Sequence, residues 1–506
     1  MHQKIKTLAE LGEITDRLKG EGKKVVLCHG TFDLVHTGHI RHLQRAKKEG
    51  QILVVTITAD QFVNKGPGRP VFNDQLRAEN LAALECVDYV GINNEISSVN
   101  VLLQVKPDIY VKGGEYRNQE EDVTGNISHE QEAVESVGGE IFYTDEITFS
   151  SSNLLNSHFE VFTPKTREFL GNFSEKWSLE DLQDKISGLS DLKVLVVGDA
   201  IIDQYHYSST LGQTGKNNIL AVRYDYEEQF AGGSLAVANH VACYVENITL
   251  VTGLGDRDSH EDFIRSKLRK NVETEFFNFK DAPTVTKRRF VDSDLSKLFE
   301  VYFAPDDSLD EEMDAKVCRW LEEHAGSYDV VLVPDFGNGF ISENMIRILC
   351  RDARFLAVNT QVNSGNRGFH VINKYPKADF ASLNETELRL AAHNRHDELE
   401  TVARQVGDHV HLKNLAVTRG TKGMLMMDME NEEIHSIPAL STRVVDRIGA
   451  GDAFLSLASI CLGAGIPSEV ASFIGSAAAA IDVQIVCNRE PVERASLIKF
   501  ITTLLK

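Results

Sequence analysis

A chain of 506 residues exceeds one ordinary domain, so two or three folding units are expected. Its 42% hydrophobic and 25% charged residues exclude a fibrous or disordered protein. The formal net charge of -22 argues against a nucleic-acid binder, which needs a basic face, and reads as solubility.

The first 23 residues form a polar helical pattern, unlike the apolar core of a signal peptide. No stretch nears the roughly 18 apolar residues that cross a membrane, so a cytoplasmic location without a membrane partner is expected. Cys28, Cys86, Cys243, Cys318, Cys350, Cys461 and Cys487 stand singly, with no CxxC pair, which reads as reduced thiols and excludes structural zinc.

KVVLCH at 24–29 is a short apolar strand running into a glycine-containing turn. A helical pattern over 40–49 and the strand ILVVTIT at 52–58 complete a βαβ unit, hence a parallel sheet. The alternation continues with a helix at 74–85, a strand at 89–92, a helix at 98–105, a strand at 108–113, a helix at 128–137 and a strand at 141–144. Strands then stop. Residues 157–192 are polar and helical, a connecting segment, and KVLVVGD at 193–199 opens a second α/β pattern that runs to the end of the chain. The small-residue stretch 453–480, broken by Gly463, Gly465 and Pro467, suits two buried helices. The expected order is a helical extension (1–23), a first α/β domain (24–156), a helical linker (157–192) and a second α/β domain (193–506).

Between the first strand and helix lies HGTFDLVHTGH, in which His36 and His39 flank Gly38. Free N–H groups and a partial positive charge at a helix start favour phosphate. Imidazoles there can donate to a triphosphate and stabilise charge as pyrophosphate leaves, and Gly38 permits close approach to the backbone. HxGH after a G-x-FD turn resembles the cytidylyltransferase-like nucleotidyltransferases. KGPGRPVF at 65–72, VKGGEY at 111–116 and FSSSN at 149–153 fit the same family. The resemblance implies a Rossmann-like fold and in-line attack of a sugar phosphate on the α-phosphorus of ATP or CTP. It casts His36 and His39 as catalytic donors, and Thr31, Phe32, Gly38, Lys47, Arg77, Lys112, Ser150, Ser151 and Ser152 as nucleotide and phosphate contacts. Mg²⁺ is expected to ride on the nucleotide.

In the second half RIGAGDAF at 447–454 precedes a long small-residue helix. Gly449, Ala450 and Gly451 leave backbone N–H groups at a helix start, an anion hole, and Asp452 is placed to accept a hydroxyl proton. With GDAIIDQY at 198–205, FAGGSLAVANHVA at 230–242, LNETE at 383–387 and VTRGTKGM at 417–424, the motif resembles the ribokinase/phosphofructokinase-B family of sugar kinases. That resemblance implies a ribokinase-like α/β fold. It puts Asp199, Asp203, Gly232, Gly233 and Asn239 at the sugar, Asn384, Glu387, Thr418 and Gly420 at ATP (with Mg²⁺ near Glu387), and Asp452 as the general base. Lys287 and Arg289 are candidates to reach a substrate phosphate, or a charged strand edge. One stretch departs from the family: Asn359, Thr360 and Gln361 stand where relatives carry Asp-Pro-Lys.

Together the halves resemble the bifunctional heptose kinase/adenylyltransferases that make ADP-heptose for bacterial lipopolysaccharide, in reversed order. The resemblance implies a homo-oligomer making an ADP- or CDP-heptose-type nucleotide sugar. The alternative is a nucleotidyltransferase for a polyol phosphate, CDP-glycerol-like, whose second domain has a different or lost kinase activity and serves as a sensor or assembly surface.

Overall fold

The computed structural model describes residues 3–63, 69–95, 97–113, 126–144, 162–215, 217–305, 309–363, 365–441 and 443–505. The chain divides into two compact units, Met1–Thr163 with Ile498–Lys506, and Pro164–Leu497.

The first unit is built on six parallel strands, β1 (Ile5–Lys6), β2 (Val25–Gly30), β3 (Ile52–Thr58), β4 (Tyr89–Asn93), β5 (Ile109–Gly113) and β6 (Glu140–Thr144), in the order β1-β4-β3-β2-β5-β6. Helices α1 (Leu8–Gly20), α2 (Thr37–Lys47), α3 (Asp74–Ala82), α4 (Val99–Val105) and α5 (Asn126–Ser136) connect them. The strands are almost continuously apolar because both sheet faces are covered. Alternation sends Val26, Cys28, Leu53 and Val55 to a core with Leu43, Ala78 and Leu81, and sends Val25, Leu27 and Val54 to one with Leu11, Val101 and Leu102. The first residues are part of this sheet: β1 pairs with β4 through Ile5↔Val90, and α1 starts on a capping box between Thr7 and Glu10 and buries Leu11, Thr15 and Leu18.

The second unit begins with α6 (Pro164–Lys176) and α7 (Leu179–Ser187). Phe173 stacks on Phe473 at 4.1 Å, and Trp177 Nε1 donates to Glu469 at 3.2 Å, so the helical stretch packs on this unit. Thirteen strands follow: β7 (Lys193–Val197), β8 (Ala200–Gln213), β9 (Leu220–Gly233), β10 (Asn247–Arg257), β11 (Val272–Pro283), β12 (Thr286–Val291), β13 (Lys297–Phe303), β14 (Val330–Asp335), β15 (Leu356–Thr360), β16 (Phe380–Asn384), β17 (Asn414–Thr418), β18 (Met424–Asp428) and β19 (Glu433–Ile437). Interleaved with them are α8 (Ser234–Ala242), α9 (Glu261–Lys267), α10 (Glu311–His324), α11 (Glu343–Asp352), α12 (Glu385–Ala391) and α13 (Leu399–His409); after them come α14 (Ala450–Gly463) and α15 (Ser468–Asp482). Nine strands form one sheet, β11-β10-β7-β14-β15-β16-β17-β18-β19, parallel except at β17–β18–β19. The other four form a smaller sheet, β13-β12-β8-β9. α14 and α15 are the two buried helices that the small-residue stretch predicts.

Candidate active sites

In the first unit the site starts where β2 ends. His36 is the N-cap of α2, and its Nδ1 accepts the Gly38 N–H at 3.1 Å. A neutral His36 ring therefore carries its proton on Nε2 and presents a donor; burial lowers its pKa, which favours that neutral form. His39 is the opposite tautomer: its Nδ1 donates to the Leu34 carbonyl at 3.1 Å, leaving Nε2 an acceptor until a second proton arrives. The two rings stack at 4.0 Å, and Phe32, at a positive φ of 47°, meets His39 edge-on. His36, Gly38, His39 and Phe32 are thus brought together, with Thr31 beside them at the end of β2.

Three cations expected at the phosphates are tied to protein partners. Lys47 lies at the far end of α2, where its Nζ donates to Asp88 and, at 2.6 Å, to the Gln51 carbonyl. Arg77 is fully buried and spends its guanidinium on the carbonyls of Phe72, Thr31 and Thr58 at 2.7–2.9 Å and on Asp60 at 2.6 Å. Lys112 pairs with Glu130 at 2.6 Å; burial works against its charge, but Tyr110 and Glu130 more than offset this and raise its pKa. Arg77 instead shapes the site: it ties the ends of β2 and β3 to the start of α3. Asp33, which sequence reasoning passed over, accepts from Val71 N at 2.8 Å and Phe72 N at 3.0 Å and fixes the loop before α3. Ser150, Ser151 and Ser152 lie outside the described residues, as does Lys65.

The second unit holds a cavity of about 810 Å³. Gly449 caps α14 at φ 102°, a conformation that favours glycine, and Gly451 and Asp452 follow it into the cavity wall. Burial pushes the Asp452 carboxyl up to about 7; Asp203 and Glu387 add to this and Lys287 opposes it. Asp203, Gly233, Asn384, Glu387, Thr418 and Gly420 line the same cavity. Asn384 and Glu387 form the capping box of α12, each side chain accepting the other's backbone N–H at 2.8–2.9 Å. Glu387 is pushed up to about 7 by burial.

Three residues expected at the sugar stand apart from that wall. Asp199 is buried behind it, its oxygens taken by the N–H groups of Phe336, Asn338 and Phe340 at 3.0–3.4 Å, so it holds the turn after β14. Gly232 makes room for Asp203: a Cβ there would overlap the Asp203 carboxylate. Asn239 is spent at both ends, on the Lys267 carbonyl and the Arg269 N–H at 3.0 Å, and faces a different, smaller cavity. Ala450 sits in the first turn of α14 between the two glycines. Lys287 and Arg289 both reach the large cavity; Arg289 is tied to Asp203 and, at 3.0 Å, to Glu300. Sequence reasoning missed Lys297 and Arg367 on the cavity wall, which belong to no motif, and Arg447, which opens the RIGAGDAF motif but was given no role. In the departing stretch, Asn359 Nδ2 donates to the Ser382 carbonyl at 2.7 Å and Gln361 enters the cavity wall. Asp335, at the end of the neighbouring β14, pairs with Lys374 at 2.5 Å.

The pfkB family carbohydrate kinase model matches residues 191–493. The chain belongs to that family. The cytidylyltransferase-like model matches residues 27–168. This pfkB-family chain is 39% identical over 159 residues to the bifunctional protein HldE of Geobacter metallireducens, 30% of each chain. It is 43% identical over 140 residues to that of Citrifermentans bemidjiense, 27% of each. These matches span under a third of the relatives' length. Among solved structures, Thermotoga maritima ribokinase is similar at TM-score 0.50 and 19% identity, covering 62% of this chain and 99% of that one. Escherichia coli phosphofructokinase-2 in complex with fructose-6-phosphate is similar at TM-score 0.50 and 14% identity, covering 62% and 100%. Both establish the ribokinase-like fold of the second unit.

Proposed function

We propose that the second unit phosphorylates a sugar or sugar phosphate and the first joins the product to a nucleotide, a synthesis of the ADP- or CDP-heptose type serving a bacterial surface polysaccharide such as lipopolysaccharide, in the cytoplasm. The observation that carries this reading is Asp452 beside the glycine-capped start of α14, in one cavity with Asp203, Asn384 and Glu387. There the sugar hydroxyl gives its proton to Asp452 as its oxygen bonds to the γ-phosphorus of ATP; the bond to ADP breaks, and the N–H groups at 449–451 hold the phosphoryl oxygens. Asp203 and Gly233 are assigned to the sugar, and Asn384, Glu387, Thr418 and Gly420 to the nucleotide.

In the first unit a phosphate oxygen of the sugar phosphate attacks the α-phosphorus and pyrophosphate leaves. His36 donates from Nε2 as a neutral ring, while His39 needs a second proton to donate, so the two serve different oxygens or different stages. Among the described residues no three His, Cys, Asp or Glu side chains converge on a metal position. Mg²⁺ is assigned to the nucleotide as its own ion, near Glu387 in the kinase, where it would neutralise phosphate charge. Assembly as a homo-oligomer is supported by exposed Leu211, Ile219, Leu220, Tyr224 and Tyr226 on the β8–β9 hairpin.

The segment 359–361 favours a second reading, in which the kinase takes another substrate or none and the first unit acts on a polyol phosphate. Incubating the intact protein with ATP or CTP against heptoses, heptose phosphates and polyol phosphates, with products followed by mass, separates the two. Asp452→Asn should lower phosphorylation by about 10²–10⁴-fold and leave nucleotidyl transfer to a supplied sugar 1-phosphate intact. Phosphorylation that survives the substitution removes the assigned base, and its absence from the parent protein favours the second reading.

A further inference from the structure

Behind the anion hole lies a polar cluster that the proposed reaction does not use. Asp482, the last residue of α15, is fully buried, and neither carboxyl oxygen has a hydrogen-bond partner. Both amide atoms of Asn488 are likewise buried and unpartnered. The two side chains converge on Gly449: a Cβ there would lie 2.7 Å from Asp482 Oδ2 and overlap Asn488 Oδ1. Four orphaned polar atoms in one place need an explanation, since buried polar groups are ordinarily satisfied.

The groups facing Asp482 offer no compensating charge. From α8, His240 places Nε2 3.7 Å from Asp482 Oδ1. Its Nδ1 accepts the Val492 N–H at 3.1 Å, so the neutral ring carries its proton on Nε2; burial pulls the His240 pKa down to about 4 and keeps the ring uncharged. The charges that act on Asp482 from α14 and from the segment before it are both acids, Asp452 and Asp446. Burial, aided by these two, moves the Asp482 carboxyl well above the usual carboxylate range. A carboxylate here would stand directly behind the N–H groups assigned to a phosphoryl group, and the two charges would repel.

We propose that Asp482 is a positioning residue for phosphoryl transfer: as an uncharged carboxyl it packs behind Gly449 and leaves the start of α14 free to hold a phosphate, whereas as a carboxylate it would expel one. This rests on the reading of α14 as the phosphate-binding end of the kinase. The protonation has its own consequence for stability. A carboxyl whose pKa is raised on folding favours the folded state at low pH, and that advantage is lost as pH rises from the unfolded value through the folded one.

The test compares wild type with Asp482→Asn from mildly acidic to mildly alkaline pH, following thermal melting and ATP affinity by calorimetry in potassium, sodium and choline buffers of equal ionic strength. The wild-type melting temperature should fall with pH relative to Asp482→Asn. Its ATP affinity should weaken about tenfold per pH unit above the folded pKa, while the variant's stays level, with no preference among the three cations. Superimposable melting profiles would overturn the proposal, and so would a stabilisation by potassium or sodium that Asp482→Asn loses, because the cluster would then hold an ion. A diverging melting profile without ATP binding at any pH would keep the protonation and sink the kinase reading instead. If Asp482→Asn does not fold, the wild-type infrared spectrum decides: a missing band for a buried protonated carboxyl at neutral pH refutes the proposal.

Discussion

The two units treat their charged side chains in opposite ways. In the first, the cations read as phosphate ligands are absorbed into the scaffold: Arg77 clamps three carbonyls, Lys112 is held by Glu130, and Lys47 by Asp88. In the second, charged groups of both signs line an open cavity, and the scaffold around them is made by small residues at 232, 233 and 449. A site built on glycines and a helix start is therefore written in its motif. One that relies on long flexible side chains is not, since their partners come from elsewhere in the chain.

Arg77 gives the largest expected effect. If it is scaffold, Arg77→Met removes the guanidinium donors to the carbonyls of Thr31, Thr58 and Phe72 and should cost about 3 kcal/mol, each buried unsatisfied acceptor contributing on the order of 1–3 kcal/mol at most. Denaturation of the full chain followed by probes in each unit would show the first transition moving and the second unchanged. Normal stability with a raised KM for the nucleotide would return Arg77 to the phosphates. Next comes Gly232→Ala in the second unit. The added methyl overlaps the Asp203 carboxylate, and a displacement of about 1 Å at a reacting site costs on the order of 100-fold in rate. Phosphorylation should fall by that factor with the melting temperature barely altered; an unchanged rate would remove Asp203 from the sugar site.

What the sequence reveals follows the same division. The strand at 52–58 is legible to the residue because both its faces are buried, whereas the helix expected over 40–49 runs over Thr37–Lys47, because the His36 cap starts it nearly one turn earlier. Ile5–Lys6 escapes because two residues carry no periodicity; only Val90 and Gly91 across the edge make them a strand. Asp199 and Asp203 sit in one motif and cannot be ranked from it. Strand geometry separates them: Asp203 reaches the cavity, while the turn at 336–340 supplies three N–H groups that claim Asp199. Asn239 looks like a sugar ligand by position, yet the Lys267–Arg269 backbone that occupies it lies about 30 residues away.

Lys47 gives the smallest expected effect and the sharpest discrimination between motif and scaffold. Its ion pair with Asp88 is about one-third exposed on either side, and such pairs contribute under about 1 kcal/mol. Lys47→Gln removes the charge and shortens the side chain by one atom while keeping an N–H donor, so stability should drop by no more than that, and pyrophosphate release with ATP or CTP should match wild type in both kcat and KM. A phosphate ligand would behave differently, because the charge on Nζ, which glutamine lacks, is what a triphosphate recognises. A KM raised about tenfold with kcat preserved would mean that Lys47 leaves Asp88 for the nucleotide during turnover. In that case the first unit, like the second, would keep charge in reserve for its substrate, and the contrast between the two would dissolve.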